Sequence, residues 1–246
     1  MDRDFAGRLR RAVQKAQSVN AGFGAKEVKQ EFEAPALGIA HARFVGYFEL
    51  GEHEREKMRK KKVLREEVAL VFELSGPNHP PRKLADGTLV PQRITVRETL
   101  SYRPGSGFAK LFYMMSEAHG GKATHMAQLL GEAFIVEVFH RKSKDGMQTL
   151  ANLKGPNGYN VKGTSVEDRI GNMITIPVDL AMTEPRFFIW DAADREMWDA
   201  IYIDGEYEAR KDDKGNVISP AKSKNVLQEQ ITRAKNWPGL AERLGL

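Results

Sequence analysis

The sequence predicts a mainly β fold: an OB-like five-stranded antiparallel barrel with an N-terminal helix, a helical insert and an α+β C-terminal extension. Three observations predict it. Apolar residues alternate with period two through three successive stretches between Gly38 and Tyr102. A flexible break, Pro104-Gly105-Ser106-Gly107, then introduces two short helical stretches. Two more alternating stretches flank the Asp145-Gly146 turn, giving a closing hairpin. The expected organisation is a helical extension over 1–35, the barrel over 36–163 and an acidic extension over 164–246 packed on or beside it.

Residues 3–19 read as an amphipathic helix, because Phe5, Leu9, Ala12, Val13 and Ala16 recur at three- and four-residue spacing. Arg8, Arg10, Arg11 and Lys15 sit on or beside its polar side, which suits either a phosphate backbone or plain solvent. In the first strand, 38–50, Ala40, Ala42, Phe44, Phe48 and Leu50 fall on one side and His41, Arg43, Tyr47 and Glu49 on the other. Gly46 inside it marks a bulge or a tight bend. The second strand, 61–74, turns Leu64, Val68, Leu70, Phe72 and Leu74 inward and Lys61, Arg65, Glu67 and Glu73 outward, before Gly76-Pro77 and Pro80-Pro81 end it. The third, 92–102, sets Ile94, Val96, Leu100 and Tyr102 against Arg93, Arg97, Thr99 and Ser101. Arg43, Arg65 and Arg97 are therefore expected on one outward face if the registers match.

Helices are expected over 108–118 and 124–130, and strands over 132–140 and 147–153. The resulting order, β-β-β-α-β-β, is that of an oligonucleotide-binding (OB) barrel. Beyond Asn157 the pattern gives a strand at 173–180, a short helix at 191–201, a turn at 211–216 and a helix at 224–235 ending before Trp237-Pro238-Gly239.

At 246 residues the chain is long enough for a real core, and 41% hydrophobic with 29% charged residues argues against wholesale disorder. The absence of cysteine excludes disulfides, thiolate nucleophiles and cysteine metal sites. No stretch approaches the roughly 20 apolar residues that span a bilayer, and the N-terminus lacks a signal-peptide pattern, so a cytoplasmic protein with no membrane partner is expected. The net charge of +5 conceals a split: residues 1–163 carry 27 Lys/Arg against 18 Asp/Glu, and residues 164–246 carry 11 against 15. This asymmetry suits a basic module that meets a polyanion, ahead of a merely solvated basic surface, joined to a portion with another role.

The stretches ALGIAHARFVGYFELG (36–51), KKKVLREEVALVFEL (60–74), RITVRETLSY (93–102) and LLGEAFIVEVFHRKSKDGMQTLANLKG (129–155), with the short helices between them, resemble a family of phage-encoded single-stranded DNA-binding proteins with an OB fold. The ordered ensemble carries the resemblance over about half the chain. EPRFFIWDAADREMWDAI (184–201) and NVLQEQITRAKNWPG (225–239) continue it, but a polar insertion separates them here and the 75–91 loop is long. The resemblance implies sequence-nonspecific binding of single-stranded DNA in phage replication or recombination, in the cytoplasm of a bacterial host. It leaves open an oligomer and replication or recombination partners on the C-terminal extension.

Such a binder needs positive charge along the backbone and flat rings for bases. The expected interface comprises Arg43, Arg65, Arg93 and Arg97 on the strands, a basic connection over 55–62 with Arg55, Arg59, Lys60, Lys61 and Lys62, and a second basic turn with Arg141, Lys142 and Lys144. Tyr47 is the best-placed ring because it shares a face with Arg43, ahead of Phe139 and Tyr102, and Tyr159 extends the track beyond the barrel.

Catalytic motifs are missing: there is no P-loop, dinucleotide fingerprint, HExxH pair or GxSxG elbow. His119 and His125 lack surrounding ligands, and Asp191, Asp194, Glu196 and Asp199 form one local cluster, whereas two-metal nucleases draw carboxylates from several elements. The expectation is a binding protein without catalytic residues, metal or cofactor. An adaptor that recruits replication or recombination partners, and more remotely a metal-dependent nuclease, are the alternatives.

Overall fold

The computed structural model describes residues 33–57, 61–84, 86–143, 146, 148–211 and 215–246. The expected helix at 3–19 and the candidates Arg59, Lys60 and Lys144 lie outside these residues. The fold is mainly β and is built on one large antiparallel sheet. Its strands are β1 (Gly38–Lys57), β2 (Lys61–Ser75), β3 (Gln92–Thr99), β4 (Ala133–Lys142), β5 (Thr149–Asn152), β6 (Val161–Lys162) and β7 (Arg186–Phe188). The hydrogen-bonded path runs β6-β4-β1-β2-β3, with β5 paired to β4 and β7 paired in parallel to β1.

Two bulges in β1 decide which side chains meet. Against an uninterrupted β2, the register skips a residue between Phe44 and Gly46 and again between Glu49 and Gly51. Each skip reverses the alternation. Phe44 and Tyr47 consequently share the inner face, opposite Phe72 and Leu70, while Phe48 turns to the outer face opposite Ala69. Gly46 is required at the first bulge, since a Cβ there would lie 2.7 Å from the Phe48 ring and 3.0 Å from Val71. At the second, Gly51 has φ +80° and a Cβ would fall 2.4 Å from Trp190.

The inner face is covered by α1 (Gly107–Glu117), capped by the Ser106 hydroxyl accepting from the Ala109 N–H, and by a 3₁₀ turn at Met126–Leu129. Phe108, Leu111, Met115 and Met126 pack there on Phe44, Phe72, Ile94, Val96 and Phe134. The outer face is covered by the C-terminal portion: β7, α2 (Arg195–Ala200), α3 (Val226–Ile231) and α4 (Trp237–Leu244). Phe188, Trp198, Ile231 and Leu240 form a second core with Phe48 and Ala69. The parts of β1 and β2 next to the cores are thus covered on both sides, whereas Arg93, Thr95 and Arg97 on the outer side of β3 are exposed.

The barrel expected from the sequence is not closed by a strand ladder among the described residues. Between Lys154 and Lys162 the chain breaks into two-residue pieces around the Gly155–Gly158 turn, too short to form a ladder with β3. Side chains bridge the seam instead: Glu98 on β3 accepts from the Tyr159 hydroxyl at 2.6 Å and from Lys154 Nζ at 2.5 Å. Two further differences lie in the C-terminal portion. The strand expected at 173–180 is only Met173–Thr175, paired with Ser165–Glu167, and the chain then runs on as a non-repetitive strap. A helix begins at Trp237, where only the end of the preceding helix was expected, because Pro238 stands in its first turn, where a missing N–H costs nothing.

Candidate nucleic-acid interface

Of the basic stretch 55–62, expected as the connection between the first two strands, 55–57 and 61–62 are strand and 58–60 lie outside the described residues. β1 and β2 run on past the cores as a two-stranded ribbon paired from Glu52↔Glu66 through Arg55↔Val63 to Lys57↔Lys61. Continuous pairing keeps the side-chain alternation regular, so the sequence sorts its charges by face. One face carries Glu52, Glu54, Glu56 and Glu66 with Lys62 and Leu64. The other carries His53, Arg55, Arg65 and Glu67 with Val63, and the Lys57–Lys61 pair continues its register. Arg97 belongs to the same side, one strand over, opposite Ala69.

On the basic face Glu67 holds Arg55 through two guanidinium hydrogen bonds. This bond pushes the Arg55 pKa up from its usual value. Arg97 is pushed below the usual arginine range by partial burial, with the Glu67 charge opposing and the Arg55 charge reinforcing the shift. Glu67 therefore orders the Arg55 guanidinium, and the charged heads of Arg55 and Arg97 both reach the surface. Arg65 is exposed opposite His53, whose Nε2 lies 2.9 Å from the Leu50 carbonyl. The ribbon base is fastened from its edge: the Glu52 N–H donates to Asn236 Oδ1 at 2.9 Å, and the Glu52 carbonyl accepts from the Lys235 N–H at 2.8 Å.

The acidic face is chemically opposite. Lys62 pairs with Glu54 at 3.2 Å, and Lys62 first, then Lys235, lowers the Glu54 pKa. Glu66 is shifted upward by burial, then by Glu52, Asp191 and Glu49. It lines a cleft of about 550 Å³ with Glu49, Asp191, Tyr102 and Arg103. Three carboxylates make this cleft repel phosphate.

The other expected residues are dispersed. Arg43, Arg65 and Arg97 share the outer face, as the alternation predicts, but are spread along it: their partners on the neighbouring strand are Glu73, His53 and Ala69. Arg43 instead donates to three backbone carbonyls, those of Asp179 at 2.7 Å, Gly131 at 2.9 Å and Val178 at 3.0 Å. Beside it Glu73, 5% exposed, accepts from the Met182 N–H at 2.5 Å and the Thr183 N–H at 3.1 Å, and Arg93 reaches Glu73 and the Thr183 hydroxyl. The strap over 178–183 is thus tied across β1, β2 and β3 by Arg43, Glu73 and Arg93. Nothing in the local sequence of the strap signals this contact.

Tyr47 is 0% exposed and offers no face to a base. The bulge before it turned the ring inward, where its hydroxyl donates to Glu49 Oε1 at 2.6 Å; burial first, then Glu49, holds the phenol above its usual range. Tyr102 is the exposed ring, at 47%, edge-on to Phe108 and Phe112. Phe139 is half-buried against Gly155, and Tyr159 is buried in the seam. Arg141 is exposed, and Lys142 donates to the Thr149 hydroxyl at 3.1 Å.

Among the described residues no group of three or more histidines and carboxylates is arranged to hold a metal ion, and no helix is long and apolar enough to cross a membrane. No family model, curated protein or solved structure matches the chain.

Proposed function

We propose that the protein binds single-stranded DNA without sequence preference, along the basic face of the ribbon and the adjoining edge of β3. The observation that carries this reading is the sorting of charge on the ribbon, with Arg55 and Arg65 on one side and four glutamates on the other. A merely solubilising hairpin has no need to separate its charges by face; a backbone-tracking groove does. The strand path β6-β4-β1-β2-β3, with the helical insert between β3 and β4, is consistent with an OB-like domain whose seam is closed by side chains. Binding is dominated by phosphate contacts, because the basic face carries no large exposed ring among the described residues.

The protein acts in this reading as a non-catalytic coat on exposed strands during phage DNA replication or recombination in a bacterial host, as the family resemblance implies. Competition among single-stranded DNA, duplex DNA and RNA of equal length, at several salt concentrations, tests it. Preferential retention of single-stranded DNA with steep salt dependence is expected; equal retention of duplex overturns the reading.

A further inference from the structure

The C-terminal portion presents two apolar features that no other part of the described chain covers. The first is the hairpin Ser165–Glu167 and Met173–Thr175, whose strands pair with each other and with no third strand among the described residues. An isolated two-stranded hairpin is marginally stable in water. This one displays Ile170 at its tip, 84% exposed, and Met173, 66% exposed. Its tip is nonetheless ordered: the Asp168 carboxylate accepts from the Ile170 N–H at 2.9 Å and the Asn172 N–H at 2.8 Å, and backbone bonds join Asp168 to Gly171 and Asn172. The Asp168 carboxylate is thereby engaged by its own turn, while Arg169 beside it is exposed.

The second feature is a groove of about 460 Å³ between β7 and α2. Pro185, Phe187, Met197 and Ala200 supply its apolar lining, and Glu184, Asp194 and Glu196 its carboxylates, against Arg186. Phe187 is 44% exposed there, and the edge of β7 away from β1 carries no ladder among the described residues.

The two features are complementary: an ordered apolar tip beside a cation, and an apolar groove rimmed with carboxylates. We infer that the Arg169-Ile170 tip of one copy enters the β7–α2 groove of a second copy, Ile170 against Phe187 and Met197 and Arg169 toward Glu184 and Glu196. Tip and groove are different surfaces, so the contact is head-to-tail, and each copy that uses its tip leaves a groove free for the next. Glu167, at the base of the hairpin, opposes the rim charge and directs the tip rather than the strand into the groove. A preordered tip loses little conformational freedom on docking.

Sedimentation of the full chain without nucleic acid tests this independently of the DNA-binding reading. The wild type is expected to grow with concentration beyond two copies. Ile170→Ser, which removes the tip, and Ala200→Arg, which fills the groove at an exposed helical position and repels Arg169, each reduce it to a monomer with an unchanged circular dichroism spectrum. A mixture of the two variants retains one intact tip and one intact groove, and forms a species of two copies and none larger. A wild type that stays monomeric, variants that assemble like the wild type, or a mixture that fails to pair overturns the inference. Association through a different contact, such as capture of the basic N-terminal segment by the groove, shows itself as assembly that Ile170→Ser leaves intact.

Discussion

The proximal and distal halves of one hairpin behave as two different materials. From Ala40 to Leu50 and from Glu67 to Leu74, β1 and β2 supply residues to two cores, and even their polar residues Glu49, Glu67 and Glu73 are buried and hydrogen-bonded. From Glu52 to Lys57 and from Lys61 to Glu66 the same strands carry charge on both faces. The lesson is that the doubly covered part of the sheet offers little free surface for a ligand. Its basic residues Arg43 and Arg93 fasten the molecule together, and the residues available to a polyanion have moved onto the ribbon.

That contrast makes separable predictions: changes in the proximal half alter stability, and changes on the distal basic face alter binding. The largest effect is expected for Phe72→Ala, which opens a cavity in the inner core and costs about 4 kcal/mol in chemical denaturation. Arg43→Ala frees the strap and leaves three backbone carbonyls unpaired, for a loss of about 2 kcal/mol and faster proteolysis near residues 178–183. Binding to oligo-dT is unchanged where the folded protein persists, and a matching loss of affinity would return Arg43 to the interface. Tyr47→Phe removes the donor to Glu49 and costs about 1 kcal/mol with DNA affinity unaltered, since a buried ring stacks on nothing.

The smallest effect belongs to Glu66. Its carboxyl is held above the usual range, so the folded state binds the proton more tightly than the unfolded state, and stability falls as pH rises through the folded-state pKa. Glu66→Gln is therefore expected to raise the melting temperature slightly at pH 7, with the gain disappearing toward pH 4. A gain that persists at pH 4 would show that the cost of the charged form, from burial first and then from Glu52, Asp191 and Glu49, is not its source.

The strands of the sheet were legible because their apolar period is strong, and Gly46 pointed to the first bulge. What alternation could not show was the consequence of the bulges: the residue skipped before Gly46 reversed the faces, sending Tyr47 inward and Phe48 outward. The second core was hidden for a related reason. Ala69 and Val71 look like outward positions beside Glu67 and Glu73, and only a covering layer contributed by Phe188, Trp198 and Ile231 makes them interior. The strap was illegible because its partners Arg43 and Glu73 lie more than a hundred residues away in sequence. The basic stretch was found as charge, but its run of lysine and arginine did not reveal that the strands continue through it, with Arg55 opposite Val63, Glu56 opposite Lys62 and Lys57 opposite Lys61.

The most direct test compares the two ribbon faces in salt titrations of oligo-dT binding. Replacing Arg55, Lys57, Lys61 and Arg65 together with alanine removes up to four phosphate contacts. It should weaken binding by about 100-fold or more at moderate salt and make the slope of log K against log salt shallower by about 3, given roughly 0.7 per single-strand phosphate. Replacing Glu52, Glu54, Glu56 and Glu66 with glutamine should leave the wild-type slope in place. Wild-type affinity and slope in the alanine variant, with its fold intact, would contradict the account.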